Sequence, residues 1–345
     1  MTKTNRRPTM ADVGRLANVS VKTVSRVFNG EPHVSAQIRQ QVMNAAERLD
    51  YHPNVLAQAL VRRRSHLIGL VYENPSPSYV VELQRGVLKR LEDERYRLVV
   101  IPIRSVEHNA RDLVGLLRSA ALDGVVLAPP AADHPLILDQ LDRADICCAR
   151  IAPTRLLDAA PSNLVDDVAA AADIAAHLLD LGHRDIAIIK GDPTHPASDA
   201  RMTGYDRAFQ VAGLTIEKER IAAGMFTFES GLEAGRRLLA GPRRPTAILA
   251  QNDDMAVGAL MAAREAGLGV PADLSIAGFD DSEISRITWP PLTTIHQPVF
   301  DMAVAAADMV IAQLEHRNFD RCRHHRHALI VRGSTAPPPA SKSLP

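Results

Sequence analysis

The sequence predicts a small all-α head followed by an α/β domain of two lobes, each with a doubly wound parallel sheet. Two observations lead to this prediction. Between residues 9 and 51, apolar residues recur at helical spacing in three short segments separated by polar breaks. After residue 65, apolar strand-like segments alternate with helical ones, which is typical of parallel sheets covered by helices on both faces. A chain of 345 residues is long enough for this organisation.

Three helices of the head can share one core. Ser20 and Ser35 stand before the second and third helical segments, where a hydroxyl can accept a free backbone N–H, so we expect both to be N-caps. The apolar positions expected in the core are Val13, Ala17, Val24, Val27, Phe28, Ile38, Val42, Ala45 and Leu49.

We divide the chain into residues 1–52 (head), 53–65 (linker), 66–335 (α/β domain) and 336–345 (a tail rich in Pro, Ala and Ser that we expect to be disordered). Strands are expected at Leu67–Tyr72, Leu98–Ile103, Gly124–Leu127, Ile186–Ile189, Ala247–Ala250 and Leu274–Ala277. Helices are expected at Tyr79–Arg95, Asp167–Leu181, Asp199–Ala212, Ser230–Leu239 and Asp253–Ala266. Ligands of such sheets bind at the carboxyl ends of the strands.

Charge is distributed unevenly although its total is zero. Residues 1–64 carry 11 Lys and Arg against 4 Asp and Glu, a net of +7, and the remainder carries 29 against 36. A basic head suggests a polyanionic partner for the head alone. Cys147, Cys148 and Cys322 have neither disulfide nor zinc spacing, and no apolar stretch is suited to export or to spanning a membrane. We therefore expect a cytoplasmic protein that does not associate with membranes.

The segment Ser20–Asn29 has the two faces that a DNA-reading helix needs. Val24, Val27 and Phe28 are expected to point inward, and Arg26 on the other face can donate two hydrogen bonds to guanine. The side chains expected to point outward are Val21, Lys22, Ser25 and Arg26. Phosphate contacts are expected from Ser20, Thr23, Ser25, Asn29, His33 and Ser35. Spacing alone also allows a three-helix module that binds protein, but the positive charge favours DNA.

The segment 9–53, reading TMADVGRLANVSVKTVSRVFNGEPHVSAQIRQQVMNAAERLDYHP, resembles the helix-turn-helix head of the lactose-repressor (LacI/GalR) family. The resemblance implies base contacts by Val21, Lys22 and Arg26. The following NVLAQAL implies a hinge helix that folds on double-stranded operator DNA, with Leu60 as a minor-groove wedge and Ala57 as a small contact. An ordinary linker helix with Leu60 facing the α/β domain is the alternative.

A looser resemblance to the same family continues to Thr335, in segments such as LGHRDIAII, DARMTGYDRAF, QNDDMAVGAL, VPADLSIAGFDDSEIS and PPLTTIHQP. It implies a periplasmic-binding-protein-like domain whose lobes are joined by crossings near residues 162, 291 and 320. The effector residues that it implies are Arg201, Phe226 and Asp253, with Asp280 and Tyr79 on weaker matches. An arginine fork, a carboxylate and an aromatic face suit a polyol. Without the resemblance, an inter-lobe ion pair of Arg201 and Asp253 is an equal alternative.

The resemblance implies a transcription regulator, with repression expected, that binds a pseudo-palindromic operator as a homodimer under control of a sugar-like effector. Ser76, Pro77 and Ser78 stand where many relatives have aromatic residues, so the effector's identity is left open and nucleobases are not excluded. Inducer and corepressor both remain possible. The three consecutive prolines after residue 335 and the lack of heptads there favour a dimer over a tetramer.

Enzymatic function is the main rival interpretation, since doubly wound sheets often bind nucleotides. The segment Leu67–Tyr72 is followed by Glu-Asn-Pro rather than a glycine-rich phosphate loop, and no catalytic motif is present, so we expect neither an enzyme nor a cofactor. A periplasmic binding protein is the second rival interpretation, but it would need an export signal where this chain has the predicted DNA-binding head. His324, His325 and His327 stand among arginines, which oppose metal binding, so no metal site is expected.

Overall fold

The computed structural model describes residues 8–28, 31–51, 64–73 and 76–339. The predicted contacts at Asn29, Ala57 and Leu60 and most of the predicted linker lie outside these residues. The chain divides into two compact units, Met1–Ser65 and His66–Pro345. Within the described ranges, no helix is both long and apolar enough to cross a membrane.

The described part of the first unit contains three helices: α1 (Met10–Leu16), α2 (Val21–Phe28) and α3 (Ala36–Arg48). They enclose a small core in which Val13, Val24 and Val42 are fully buried. Ser20 Oγ accepts the Thr23 N–H at 3.1 Å, and Ser35 Oγ accepts the Ile38 N–H at 3.3 Å. Both predicted N-caps are therefore confirmed.

A tight turn joins α1 to α2. Asn18 adopts the left-handed conformation with φ of 52°, and the Val19 N–H donates to the Gly14 carbonyl at 2.9 Å. Asparagine tolerates this conformation better than most residues, so it ends α1 where the chain must reverse. The turn packs α2 against α1 and leaves the opposite face of α2 exposed.

The first lobe of the second unit is built on a six-stranded parallel sheet in the order β11-β5-β4-β3-β1-β2. Its strands are β1 (Leu67–Tyr72), β2 (Arg97–Pro102), β3 (Gly124–Leu127), β4 (Cys147–Ile151), β5 (Ser162–Leu164) and β11 (Cys322–His324). Helices α4 (Pro77–Leu91) and α12 (Val299–Leu314) cover one face, and α5 (Val106–Ser119) and α6 (Pro135–Arg143) cover the other.

The second lobe has a four-stranded parallel sheet in the order β7-β6-β8-β9 and a two-stranded antiparallel ribbon of β10 and β12. The strands are β6 (Ile186–Lys190), β7 (Ile221–Ala223), β8 (Ala247–Ala250), β9 (Ser275–Ala277), β10 (Thr294–His296) and β12 (Ala328–Ile330). The helices are α7 (Asp167–Asp180) and α8 (Pro196–Val211) on one face, α9 (Phe228–Leu239) and α10 (Asp253–Glu265) on the other, and the short α11 (Glu283–Ile287). The predicted fold class is confirmed.

Three segments connect the lobes, between β5 and α7, between β10 and α12, and between β11 and β12. Each lies a few residues after the positions predicted near 162, 291 and 320. The strands that precede these segments are only three residues long, and β10 and β11 are defined by pairing with distant strands, which the local sequence does not indicate. The Ala336 carbonyl accepts a hydrogen bond from His183 at 2.8 Å, so the described fold extends past the predicted end of the domain at Thr335.

Close packing of α9 and α10 depends on glycine, and we expect Gly258→Ala to destabilise the second unit. A Cβ at Gly258 would lie 2.4 Å from the Leu232 nitrogen and 2.4 Å from the Phe228 oxygen, so the helices would have to separate. Overpacking of this kind costs about 1–3 kcal/mol. The measurement is thermal unfolding by calorimetry.

Gly115→Ala is the matched control, because Gly115 is exposed within α5 and a Cβ added there would have no neighbouring atom within 4 Å. This change is expected to stabilise by about 0.5–1 kcal/mol through helix propensity. Equal effects of the two substitutions would contradict the packing argument.

Candidate functional site

The exposed face of α2 is the candidate DNA-binding surface. Val21 is 49% exposed, and Lys22 and Arg26 are exposed beside it. On the opposite face Val24 and Val27 are buried, and the partly buried Phe28 packs on Tyr51 with ring centroids 5.7 Å apart. The two faces predicted for this helix are therefore confirmed, with Ser25 half-buried between them.

The end of α2 is held by α3. The Arg39 guanidinium donates to the Val27 carbonyl at 3.2 Å and to the Glu31 carbonyl at 3.1 Å. Arg26 Nε lies 3.4 Å from Glu31 Oε2, with both side chains about half exposed. The remaining described residues proposed to contact phosphates, Ser20, Thr23, His33 and Ser35, are exposed or partly exposed. Their contacts with DNA remain predictions.

A small cavity lies between the lobes of the second unit, where the carboxyl ends of strands from both sheets meet. Its lining follows β1, β3 and β4 of the first lobe and β6, β8 and β9 of the second, as expected for a ligand site in doubly wound sheets. Four predicted effector residues line it: Tyr79, Arg201, Phe226 and Asp280. The further lining residues are Ser76, Pro129, Ala152, Asp167, His195, Ala197, Asn252 and Gln297.

Arg201 is the buried cation of this cavity, with 6% of its surface exposed. Its Nε donates to Asp167 Oδ1 at 2.9 Å, and Nη1 donates to the Gln251 carbonyl. Its Nη2 lies 4.0 Å from Asp280 Oδ1. Burial raises the pKa of Asp280 well above its usual value, although the charge of Arg201 counteracts this rise.

Phe226 forms the aromatic wall of the cavity. It has a positive φ of 58°, and its ring lies against Gly191 so closely that a Cβ there would be 2.1 Å from the ring. Its carbonyl accepts a hydrogen bond from Asn252 Nδ2 at 2.9 Å. The glycine at the end of β6 therefore allows the ring to take this position.

Asp253 does not line the cavity, contrary to the expectation from the resemblance. It is fully buried; Oδ1 accepts from the Thr294 hydroxyl at 2.7 Å, and Oδ2 accepts from the Ser282 N–H at 2.8 Å and hydroxyl at 3.0 Å. Burial raises the pKa of Asp253 to about 7, against the three hydrogen bonds, which lower it. The contacts of Asp253 join α10 to β10 and to the segment between β9 and α11. The alternative expectation, an ion pair between Arg201 and Asp253, is not met either, because Arg201 pairs with Asp167.

Sequence reasoning missed five polar lining residues: Ser76, Asp167, His195, Asn252 and Gln297. Asn252 caps α10 by accepting the Met255 N–H at 2.9 Å, and Gln297 follows β10 in the second connection between the lobes. Ser76 donates to Asp254 Oδ2 at 2.5 Å and so joins the first lobe to the second. The rule that ligands bind at strand ends could have found Asn252 and His195, which follow β8 and β6.

The cavity has a volume of about 40 Å³, far below the roughly 300–1,000 Å³ of ordinary ligand sites. The lobes are therefore closed over it, with Ser76 and Asp254 in contact. A larger cavity of about 610 Å³ lies beyond Tyr79, Asp280 and Gln297, among the ion pairs of α4 and α11. We take the smaller one as the candidate site because it contains Arg201, Phe226 and the strand ends.

The histidines near the third connection bond to separate partners. His325 Nε2 lies 3.0 Å from Asn163 Oδ1, and His327 Nε2 lies 2.8 Å from Asp173 Oδ2. No group of three or more metal-ligating side chains suited to an ion occurs in the part of the chain that the structure describes.

Known proteins match the chain over nearly its whole length. A model of the bacterial regulatory proteins of the lacI family matches residues 9–54, and a model of the periplasmic binding protein-like domain matches residues 175–335. The ribose operon repressor of Escherichia coli (strain K12) is 35% identical over 312 residues, which cover 89% of this chain and 93% of that protein.

Two solved structures have a similar fold. The Lac repressor bound to ONPG in its repressed state is 27% identical, with a TM-score of 0.84 over 96% of this chain and 100% of that one. The complex of the transcriptional regulator CelR with cellobiose is 28% identical, with a TM-score of 0.71 over 95% of this chain and 100% of that one.

A helix-turn-helix unit followed by a two-lobed binding domain defines a DNA-binding transcription regulator that responds to a small molecule. The chain belongs to the lacI family of bacterial regulatory proteins.

Proposed function

We propose that this protein represses transcription by binding a pseudo-palindromic operator as a homodimer, under the control of a sugar or sugar derivative held between its lobes. The observation that carries the proposal is the exposed face of α2, where Val21, Lys22 and Arg26 stand opposite a packed face. One head covers only one half-site, so specific affinity needs two heads spaced about one turn of DNA apart. The protein acts in the cytoplasm and catalyses no reaction.

Base recognition is assigned to Val21, Lys22 and Arg26, and phosphate contacts to Ser20, Thr23, Ser25, Asn29, His33 and Ser35. Arg26 has the fork of donors that guanine accepts, and Val21 offers an apolar contact for a thymine methyl group. Leu60 and Ala57 are assigned to the minor groove.

Tyr79, Arg201, Phe226 and Asp280 are assigned to the effector, together with Asn252 and Gln297. Supporting this, the cavity combines an aromatic wall with donors and acceptors from both lobes, and a relative is complexed with cellobiose. An effector that holds the lobes in one arrangement changes DNA affinity only by its preference for that arrangement, typically about 1–3 kcal/mol. The sign of this change in DNA affinity distinguishes an inducer, which lowers the affinity, from a corepressor, which raises it.

The test is fluorescence anisotropy of the purified protein with DNA from upstream of its own gene, across a series of salt concentrations. We expect tight, competitor-resistant binding to one pseudo-palindromic segment, with log affinity falling steeply against log salt concentration. Binding that remains weak and independent of sequence, even after cell metabolites are added, would exclude the proposed operator recognition.

A further inference from the structure

One side chain in the cavity wall has a buried polar atom that the protein itself does not satisfy. Six buried side-chain nitrogen or oxygen atoms in the described residues have no hydrogen-bond partner, and only one, Nε2 of His195, belongs to a residue of the cavity lining. His195 is 3% exposed. A buried polar atom without a partner is unfavourable for the closed protein, so an occupant of the cavity that bonds to it gains affinity.

The surroundings of His195 favour the neutral form of its imidazole. Burial lowers the pKa of His195, Asp192 opposes this, and the charge of Arg201 lowers it further. The ring packs edge-on against Phe226 with centroids 5.4 Å apart, which fixes its orientation. A neutral imidazole has one N–H donor and one acceptor, so it suits a hydroxyl, which can serve either role.

The charges around the cavity do not favour an anion. Asp167 and Asp280 face the single cation among the described lining residues, Arg201. Two of the donors of that cation are already committed to Asp167 and to the Gln251 carbonyl. A phosphate group would be placed beside the buried Asp167 and Asp280, while the cation of the cavity is already paired with Asp167, which is unfavourable.

We propose that His195 binds a hydroxyl of the effector through Nε2, and that the effector is an uncharged sugar rather than a phosphorylated one. This inference rests on the proposed function, since it names the chemical class of the effector in the same cavity. His195 acts as a specificity residue: its bond forms only when a hydroxyl-bearing molecule occupies the site.

Three variants separate this role from a structural one. His195→Leu removes the imidazole, and His195→Gln keeps a polar group near the position of Nε2. His134→Leu is the matched control, because His134 also precedes a proline at the start of a helix, makes no capping bond and does not line the cavity.

The probes are D-ribose, D-glucose, D-fructose and cellobiose, with ribose 5-phosphate, glucose 6-phosphate and fructose 6-phosphate as the charged counterparts of the three monosaccharides.

Calorimetric titration of the full chain should find a neutral sugar that binds, with its phosphate weaker by at least about 100-fold. His195→Leu should weaken that sugar roughly tenfold, whereas His195→Gln and His134→Leu should stay within about threefold of the natural sequence. Without ligand, His195→Leu should unfold at the same temperature or a higher one, because it removes an unsatisfied buried atom.

Each other outcome overturns a distinct claim. Preferred binding of a sugar phosphate would overturn the inference and leave a sugar-type effector in place. A neutral sugar that binds His195→Leu as well as the natural sequence would overturn the role of His195 alone. If no sugar of either class binds, the sugar effector fails and this inference fails with it, while operator binding is judged separately by anisotropy.

Discussion

Arg26→Ala is expected to lower the preference for operator over scrambled DNA by about 5- to 150-fold, the loss of one bidentate contact to guanine, worth about 1–3 kcal/mol. Arg26 is half exposed, and its only ion pair in the described head is the surface contact with Glu31. Exposed ion pairs contribute little to stability, so the fold should be unaffected. The measurement is competition anisotropy with the two DNA sequences at one salt concentration.

Arg48→Ala is the charge-matched control, because Arg48 is exposed in the last turn of α3 rather than on α2. Loss of this charge should weaken binding to both DNA sequences by a similar factor and leave their ratio unchanged. An unchanged ratio for Arg26→Ala as well would remove Arg26 from base recognition and leave the preference for operator DNA to other residues of the head.

The head could be predicted in detail because its features are local. Helical periodicity gives the inward face of α2, and a serine before a helix is a cap whatever lies around it. The alternation of strands and helices in the second unit is equally local. The connections between the lobes are not, because β10 and β11 are each defined by a strand more than 30 residues away.

The cavity was harder to predict because adjacent residues at a helix start point in different directions. Asn252 and Asp253 are both polar and both follow β8, yet Asn252 lines the cavity and Asp253 bonds inward to Ser282 and Thr294. Successive helical positions differ by about 100°, so residue type alone does not identify the one that faces the ligand. Asp167 was missed because its contact with Arg201 depends on the packing of α7 against α8.

Arg201→Met is expected to destabilise the second unit by about 3–5 kcal/mol, because Asp167 and Asp280 would remain buried without their cation. The guanidinium also lies 3.8 Å from the ring centroid of Phe279, a contact that methionine replaces only in part. Calorimetric unfolding measures the loss. Arg236→Met is the control: Arg236 makes an ion pair with Glu265 through two nitrogens, but 53% of its side chain is exposed, so the loss of stability should be much smaller than that of Arg201→Met.

The double variant Arg201→Met with Asp167→Asn separates the charge from the packing. Neutralising Asp167 removes one of the two uncompensated carboxylates, so the double variant should be more stable than Arg201→Met alone, although Asp167→Asn by itself is destabilising. Additive losses would mean that the two side chains contribute independently. Arg201 would then be held by the Gln251 carbonyl and the Phe279 ring rather than by the carboxylates that we infer exclude an anionic effector.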